Sequence, residues 1–209
     1  MSAENRIRIF TVDDHPLMRE GIAAVIGRQQ DMVLVGEATN GREAIESFRL
    51  HRPDVTLMDL QMPEMSGIDA IIAIRREFSS ARIIVLTTYQ GDVHARHAFK
   101  AGASGYLLKN MLRMDLVDTI RAVHAGRRRI PPEVAAELAE HIIDDDLSER
   151  EIDILTRVAQ GNSNKIIASQ LKISEATVKY HLQSALSKLG ANDRTHAVTI
   201  AVKRGFIQG

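Results

Sequence analysis

Five short apolar runs alternate with five segments of helical periodicity along residues 1–125, and this alternation restricts the possible folds more than any other feature of the chain. The runs, residues 7–12, 32–35, 55–58, 83–86 and 105–108, are rich in β-formers and bounded by turn residues. Between them apolar residues recur every three to four positions: Met18, Ile22, Val25 and Ile26, then Ala44, Ile45 and Phe48, then residues 68–78, 93–101 and 112–123. Strands that alternate with helices call for a parallel sheet covered by helices on both faces. The runs are continuously apolar rather than alternating, as expected where both faces of a strand are buried.

From Leu147 onward there is no strand pattern, only helical segments broken by GNSN, KIS and GAND. Ser148 and Glu151 have the spacing of a capping box, and Gly161 suits the stop of that first helix. Ser174 opens a helix that runs to Leu189 and closes at Gly190, and residues 195–204 form a fourth helix that ends at Gly205. Between the halves, Pro131 and Pro132 stop any helix entering from Arg121, and Pro132 suits the first turn of a new one. Val134, Leu138 and Ile142 share a face there, which predicts a short helix in the connector. The reading is therefore an α/β domain over 1–125, a linker over 126–146 and a small all-α domain over 147–209.

Composition sharpens this. The chain holds 27 Lys and Arg against 27 Asp and Glu, so its overall charge advertises no nucleic acid. Residues 147–209, however, carry nine basic and five acidic side chains, a net +4, which leaves −4 for residues 1–146. The small half has the sign that suits a phosphate backbone. The absence of cysteine excludes disulfides, thiol nucleophiles and cysteine-based zinc sites. No apolar run approaches the roughly 20 residues of a membrane span, and MSAENRIRIF lacks the pattern of a signal peptide, so a cytoplasmic chain with no membrane partner is expected.

Ligands of open parallel sheets bind outside the carboxyl ends of the strands. Asp13 and Asp14 follow the first run, Asp59 the third, Thr87 the fourth and Lys109 the fifth. An Asp after a strand often only caps the next helix, and a lone lysine is often a solvated surface residue. The joint occurrence at successive strand ends instead supplies a carboxylate nucleophile, carboxylates that call for a hard divalent cation such as Mg²⁺ or Mn²⁺, and a counter-charge for transferred oxygens. His15, beside the acidic pair, reads as a helix-entry residue before Pro16 in preference to a ligand or base.

The stretches VDDHPLMREG, LMDLQMPEMSG, IIVLTTYQ and AGASGYLLKN resemble, in order and spacing, the receiver domains of two-component response regulators. The resemblance spans residues 7–125 and implies a doubly wound, flavodoxin-like domain of five parallel strands. By it Asp59 is the phospho-acceptor, Asp14 binds the metal directly and Asp13 largely through water, and the Gln61 carbonyl completes the protein ligands. Lys109 then holds a phosphoryl oxygen, and Thr87 with Tyr106 forms the hydroxyl–aromatic switch.

In the tail, residues 164–171, the KIS turn and residues 174–189 have helix-turn-helix proportions. Ile166, Ile167, Leu171 and Ile173 are expected to pack against Val178, Leu182, Leu186 and Leu189, leaving Lys179, Tyr180, Gln183 and Lys188 outside. Proportions alone fit a plain four-helix unit with a solvated face equally well. GNSNKIIASQLKISEATVKYHLQSALSKL, however, resembles the LuxR-type helix-turn-helix, and with the receiver the whole is similar to NarL/FixJ-type response regulators. That implies base contacts from Lys179, Tyr180 and Gln183 and backbone contacts from Ser163, Asn164, Lys165, Thr177, Lys188, Arg194 and Thr195. Ile166 replaces the family's usual Glu, so a complete capping box at Ser163 is not expected.

The resemblance implies phosphoryl transfer from a sensor histidine kinase, homodimerisation and binding to near-palindromic double-stranded DNA, with no enzymatic activity beyond the receiver's own phosphorylation and dephosphorylation. Two alternatives stand beside it. An aspartyl phosphohydrolase would carry a second Asp two residues after the nucleophile, where this chain has Gln61. A phosphorylation-independent DNA-binding regulator would use the receiver only to dimerise.

Overall fold

A computed structural model describes residues 6–88, 92–140 and 146–207, and the chain divides into two compact units with the main crossing after Ala135. The first is built on five strands: β1 (Ile7–Val12), β2 (Met32–Ala38), β3 (Val55–Asp59), β4 (Ile83–Thr87) and β5 (Gly105–Leu108). All pairings are parallel, in the order β2-β1-β3-β4-β5. Five helices alternate with them: α1 (Pro16–Gly27), α2 (Gly41–His51), α3 (Gly67–Glu77), α4 (Asp92–Ala101) and α5 (Leu112–His124). The chain steps from β1 outward to β2 and then back past β1 to β3. The connections leaving β1 and β3 therefore diverge and open a crevice at the carboxyl edge.

Two strand readings need correction. β2 extends through Gly36, Glu37 and Ala38, three residues past the apolar run, because backbone pairing with β1 continues through them after a register shift between Ile9 and Phe10. β2 is also an edge strand with only Met32 and Ala38 buried, so burial along the whole strand, which holds for β3, β4 and β5, fails there. β3 and β4 each run one residue past the apolar stretch and carry Asp59 and Thr87 as their last rungs. Ile9, Leu57, Ile84 and Leu86 of the sheet pack with Ile22, Ile26, Leu116 and Ile120 of α1 and α5.

Local chemistry fixes the helix starts. The Asn40 side chain accepts from the Glu43 amide and the Ser66 side chain from the Asp69 amide, each satisfying a free N–H of a first turn. α1 begins at Pro16, whose missing N–H costs nothing there, and His15 at the cap position makes no capping bond. In the connector, α6 (Pro132–Glu140) buries Val134 and half-buries Leu138, while the expected third apolar residue, Ile142, lies outside the described residues.

The second unit contains α7 (Glu149–Ala159), α8 (Asn164–Leu171), α9 (Glu175–Leu189) and α10 (Arg194–Arg204). The capping box of Ser148 and Glu151 is complete, whereas at α8 only the half in which the Ser163 side chain accepts from the Ile166 amide is present. Ile154, Val158, Ile167, Ala168 and Val178 form one core cluster, with Leu171, Ile173 and Leu182 against it. Leu155, Ala185, Leu189, Ala197 and Ala201 form a second. Ile166 does not join the core: it is 47% exposed, because Ile167 and Ala168 occupy the inward arc of α8 and each residue turns about 100° from the last. Among the described residues, no helix is long and apolar enough to cross a membrane.

Candidate functional site

The strand ends bring Asp13, Asp14, Asp59 and Lys109 together. Asp59, the last residue of β3, is almost completely buried, as is Asp13 after β1. The Lys109 Nζ lies 2.8 Å from Asp59 Oδ2 and 2.8 Å from Asp13 Oδ2, so one ammonium spans two buried carboxylates. Lys109 stands at the first position of a single 3-10 turn after β5 (Lys109–Met111), which aims its side chain across the crevice. The Gln61 amide donates to Asp59 Oδ1 at 3.3 Å.

The electrostatics follow from that crowding. Burial pushes the Asp59 carboxyl above the usual carboxylate range, with Asp13 adding to the effect, while the hydrogen bond and charge of Lys109 oppose it. Burial pulls the Lys109 ammonium down, but the hydrogen bonds and charges of Asp13 and Asp59 outweigh it, and the ammonium is held above its ordinary value. The lysine is therefore fixed as a cation beside a carboxylate that ionises reluctantly.

On the other flank, the His15 Nδ1 lies 2.8 Å from Asp14 Oδ1 and 3.1 Å from Asp13 Oδ1. The His15 amide donates to Asp13 Oδ1 at 2.9 Å, and the Arg19 Nη1 donates to the Asp13 carbonyl at 2.7 Å. Among the described residues, Asp13 Oδ2 and Asp14 Oδ1 are buried without an aligned hydrogen bond, the first facing the Lys109 ammonium and the second the His15 ring nitrogen. Ligand atoms of Asp13, Asp14, His15 and Asp59 lie within 4.8 Å of one another. Underbonded carboxylate oxygens converging at this spacing fit a hard divalent cation. The contact of the His15 ring with the acidic pair was not evident from sequence, where the Pro16 that follows it marks only a helix entry.

The approach to Asp59 is set by Gly67. A Cβ at this position would collide with the Asp59 backbone carbonyl, so only glycine allows α3 to start this close to β3; the Gly67 amide donates to the Leu60 carbonyl at 3.0 Å. Thr87 and Tyr106 sit on adjacent strands, Thr87 opposite Leu108 and Tyr106 opposite Val85, and both are buried. The Tyr106 ring is 6.2 Å from that of Phe99 on α4.

In the second unit, Lys179, Tyr180 and Gln183 are all exposed on α9, and Tyr180 keeps 71% of its surface in solvent. The Tyr180 ring stands edge-on to that of His181, with centroids 5.4 Å apart. Ser163 caps α8, Asn164 and Lys165 occupy its first turn, and Thr177 lies in the first turn of α9, where its amide donates to the Ser174 Oγ at 3.0 Å. Thr195 lies in the first turn of α10, its amide donating to Asp193 Oδ1 at 2.8 Å, and the Arg194 Nη2 donates to the Asn162 carbonyl at 2.9 Å.

Lys188 is differently placed. Its Nζ is 2.9 Å from Glu151 Oε2 and 3.2 Å from the Asp146 carbonyl. Buried Glu151 also accepts from the Ser184 Oγ at 2.7 Å and from the Ser148 amide at 2.7 Å. Burial raises the Glu151 pKa, yet these donors outweigh it and bring the carboxyl down to about 2. This network joins the start of α7 to the last turns of α9, a link that periodicity does not reveal.

The comparisons with known proteins agree with this geometry. The family model "Response regulator receiver domain" matches residues 9–121, and "Bacterial regulatory proteins, luxR family" matches residues 145–201. The uncharacterized transcriptional regulatory protein YxjL of Bacillus subtilis is 38% identical, covering 98% of this chain and 99% of its own. The response regulator protein VraR of Staphylococcus aureus is 36% identical, covering 97% and 99%. Among solved structures, the response regulator ChrA of a heme-sensing two-component system is 38% identical over 97% of this chain and 100% of its own, with a TM-score of 0.57. RcsB of Salmonella enterica serovar Typhimurium, bound to promoter P1flhDC with a phosphomimetic, is 27% identical over 95% and 99%, with a TM-score of 0.72. The chain therefore belongs to the two-component response regulators of the NarL/LuxR type, in which a receiver domain is joined to a LuxR-type DNA-binding domain.

Proposed function

We propose that a sensor histidine kinase phosphorylates this regulator on Asp59, and that the phosphorylated receiver favours a homodimer that binds near-palindromic promoter DNA. The observation that carries this reading is the buried Asp59 carboxylate held 2.8 Å from Lys109, beside the underbonded oxygens of Asp13 and Asp14. Asp59 is the nucleophile. Its attack on the phosphorus forms the acyl phosphate and breaks the bond to the kinase imidazole or small-molecule donor.

Mg²⁺ or Mn²⁺ would be held by Asp13, Asp14, Asp59 and the Gln61 carbonyl, and the cation supplies charge neutralisation for the transferred oxygens. Lys109 moves its ammonium from the carboxylate pair to a phosphoryl oxygen, and the Thr87 hydroxyl donates to another. Tyr106 then repacks against the vacated space near Thr87. The receiver supports only its own phosphorylation and dephosphorylation, and acts over residues 1–125. Residues 126–146 link it to the DNA-binding domain of residues 147–209.

On DNA, Lys179, Tyr180 and Gln183 would read base edges from α9. Ser163, Asn164, Lys165, Thr177, Arg194 and Thr195 would meet the sugar–phosphate backbone at helix N-termini. Lys188 would serve the backbone only as a shared charge, since Glu151 already engages it. Such a regulator works in the cytoplasm. Light scattering with and without beryllofluoride tests the switch: dimer enrichment on loading is expected, and a monomer under both conditions contradicts it.

A further inference from the structure

The outer edge of β5 is covered by the chain's own linker. β5 is the last strand of the sheet, so one side of it has no strand neighbour. Residue Arg129 forms a parallel bridge with Gly105, the Tyr106 amide donates to the Arg129 carbonyl at 2.9 Å, and the Arg129 amide donates to the Ser104 carbonyl at 3.3 Å. A Cβ at Gly105 would stand 3.1 Å from Val123 and 3.2 Å from Ile84, so the glycine serves the packing of β5 against α5 and β4, while the Arg129 carbonyl, 3.5 Å away, lies at ordinary contact distance. Beyond it Pro131 is buried, the Ala135 amide donates to the Pro131 carbonyl at 2.9 Å, and Val134 of α6 is fully buried.

We infer that residues 127–131 form a releasable sixth strand whose pairing with β5 depends on the packing state of Tyr106. The strap is tied through the backbone of the same residue whose ring is buried beside Phe99. Repacking that ring strains the amide that holds the Arg129 carbonyl, and among the described residues the other backbone bond of the strap runs from the Arg129 amide to the Ser104 carbonyl, one residue before β5. Detachment frees the last extended segment of the first unit and, once Pro131 and Val134 also leave their buried seats, adds up to about 16 Å of reach to the tether. Arg127, Arg128 and Arg129 are exposed, so no side-chain burial is lost on release there, and the regained backbone freedom favours it once the backbone bonds weaken.

The inference rests on Asp59 as the acceptor, and its test separates the two claims. Hydrogen exchange of the full chain, read at the Tyr106 and Arg129 amides with and without Mg²⁺ and beryllofluoride, follows the strap. Fluorine NMR reports bound beryllofluoride independently. With the bound signal present, both amides should exchange about tenfold faster, and Arg129→Pro should show fast exchange at Tyr106 before loading. Unchanged exchange alongside a bound signal overturns the strap, as does slow Tyr106 exchange in Arg129→Pro. Absence of the bound signal overturns the acceptor reading and the strap with it.

Discussion

At the residue scale, the pocket sets three carboxylates against one lysine, a negative excess that suits a divalent cation. Lys109 bridges two buried carboxylates, and removing it leaves them facing one another. Lys109→Met should cost about 3 kcal/mol of receiver stability in metal-free buffer, and Mg²⁺ should restore more stability to the variant than to the native protein. Urea unfolding with and without Mg²⁺ checks this, and equal stabilisation of both would count against a shared site. Gly67 is equally committed. Gly67→Ala forces its Cβ onto the Asp59 carbonyl and should reduce acetyl phosphate labelling while leaving the helical signal of the second unit in place.

Glu151 gives a pH prediction whose sign is fixed. Its carboxyl sits at about 2 in the folded chain, below its ordinary 4.5, so its stabilising contribution is full above 4.5 and is lost as pH falls through 2. A shift of that size corresponds to about 3 kcal/mol. Acid titration of unfolding should show it, and Glu151→Gln should flatten that part of the curve.

At the element scale, much of the structure was legible and the exceptions have physical causes. All five strand positions follow from apolar runs, but β2 extends through Gly36 and Glu37 because a ladder with β1 needs backbone groups rather than apolar side chains. Asp59 and Thr87 extend β3 and β4 for the same reason. The pocket residues were visible because the chemistry sits at strand ends, where the alternation marks the place. The Glu151–Ser184–Lys188 network and the pairing of Arg129 with β5 were not, since each joins residues far apart in sequence through contacts that leave no local period. Ile166 was misplaced because three successive apolar or small residues, 166 to 168, leave the helix phase ambiguous by one step. The capping box of α7 offers a direct check on local readings: Ser148→Ala should lower stability by about 1 kcal/mol in thermal unfolding.

At the scale of the whole molecule, zero net charge is the sum of a basic DNA-binding half at +4 and an acidic remainder at −4. DNA affinity should therefore fall steeply with salt although the intact chain is neutral. Lys179→Ala should weaken operator binding about tenfold and relax preference at one base position, as measured by fluorescence anisotropy across a panel of single-base variants. A uniform loss over all sequences would assign Lys179 to a phosphate instead. The central claim is that one buried carboxylate receives the phosphoryl group. Labelling with radioactive acetyl phosphate and Mg²⁺ tests it most directly: the native chain should take up about one phosphoryl group per molecule and Asp59→Asn none. Undiminished labelling of a folded Asp59→Asn protein would contradict the account.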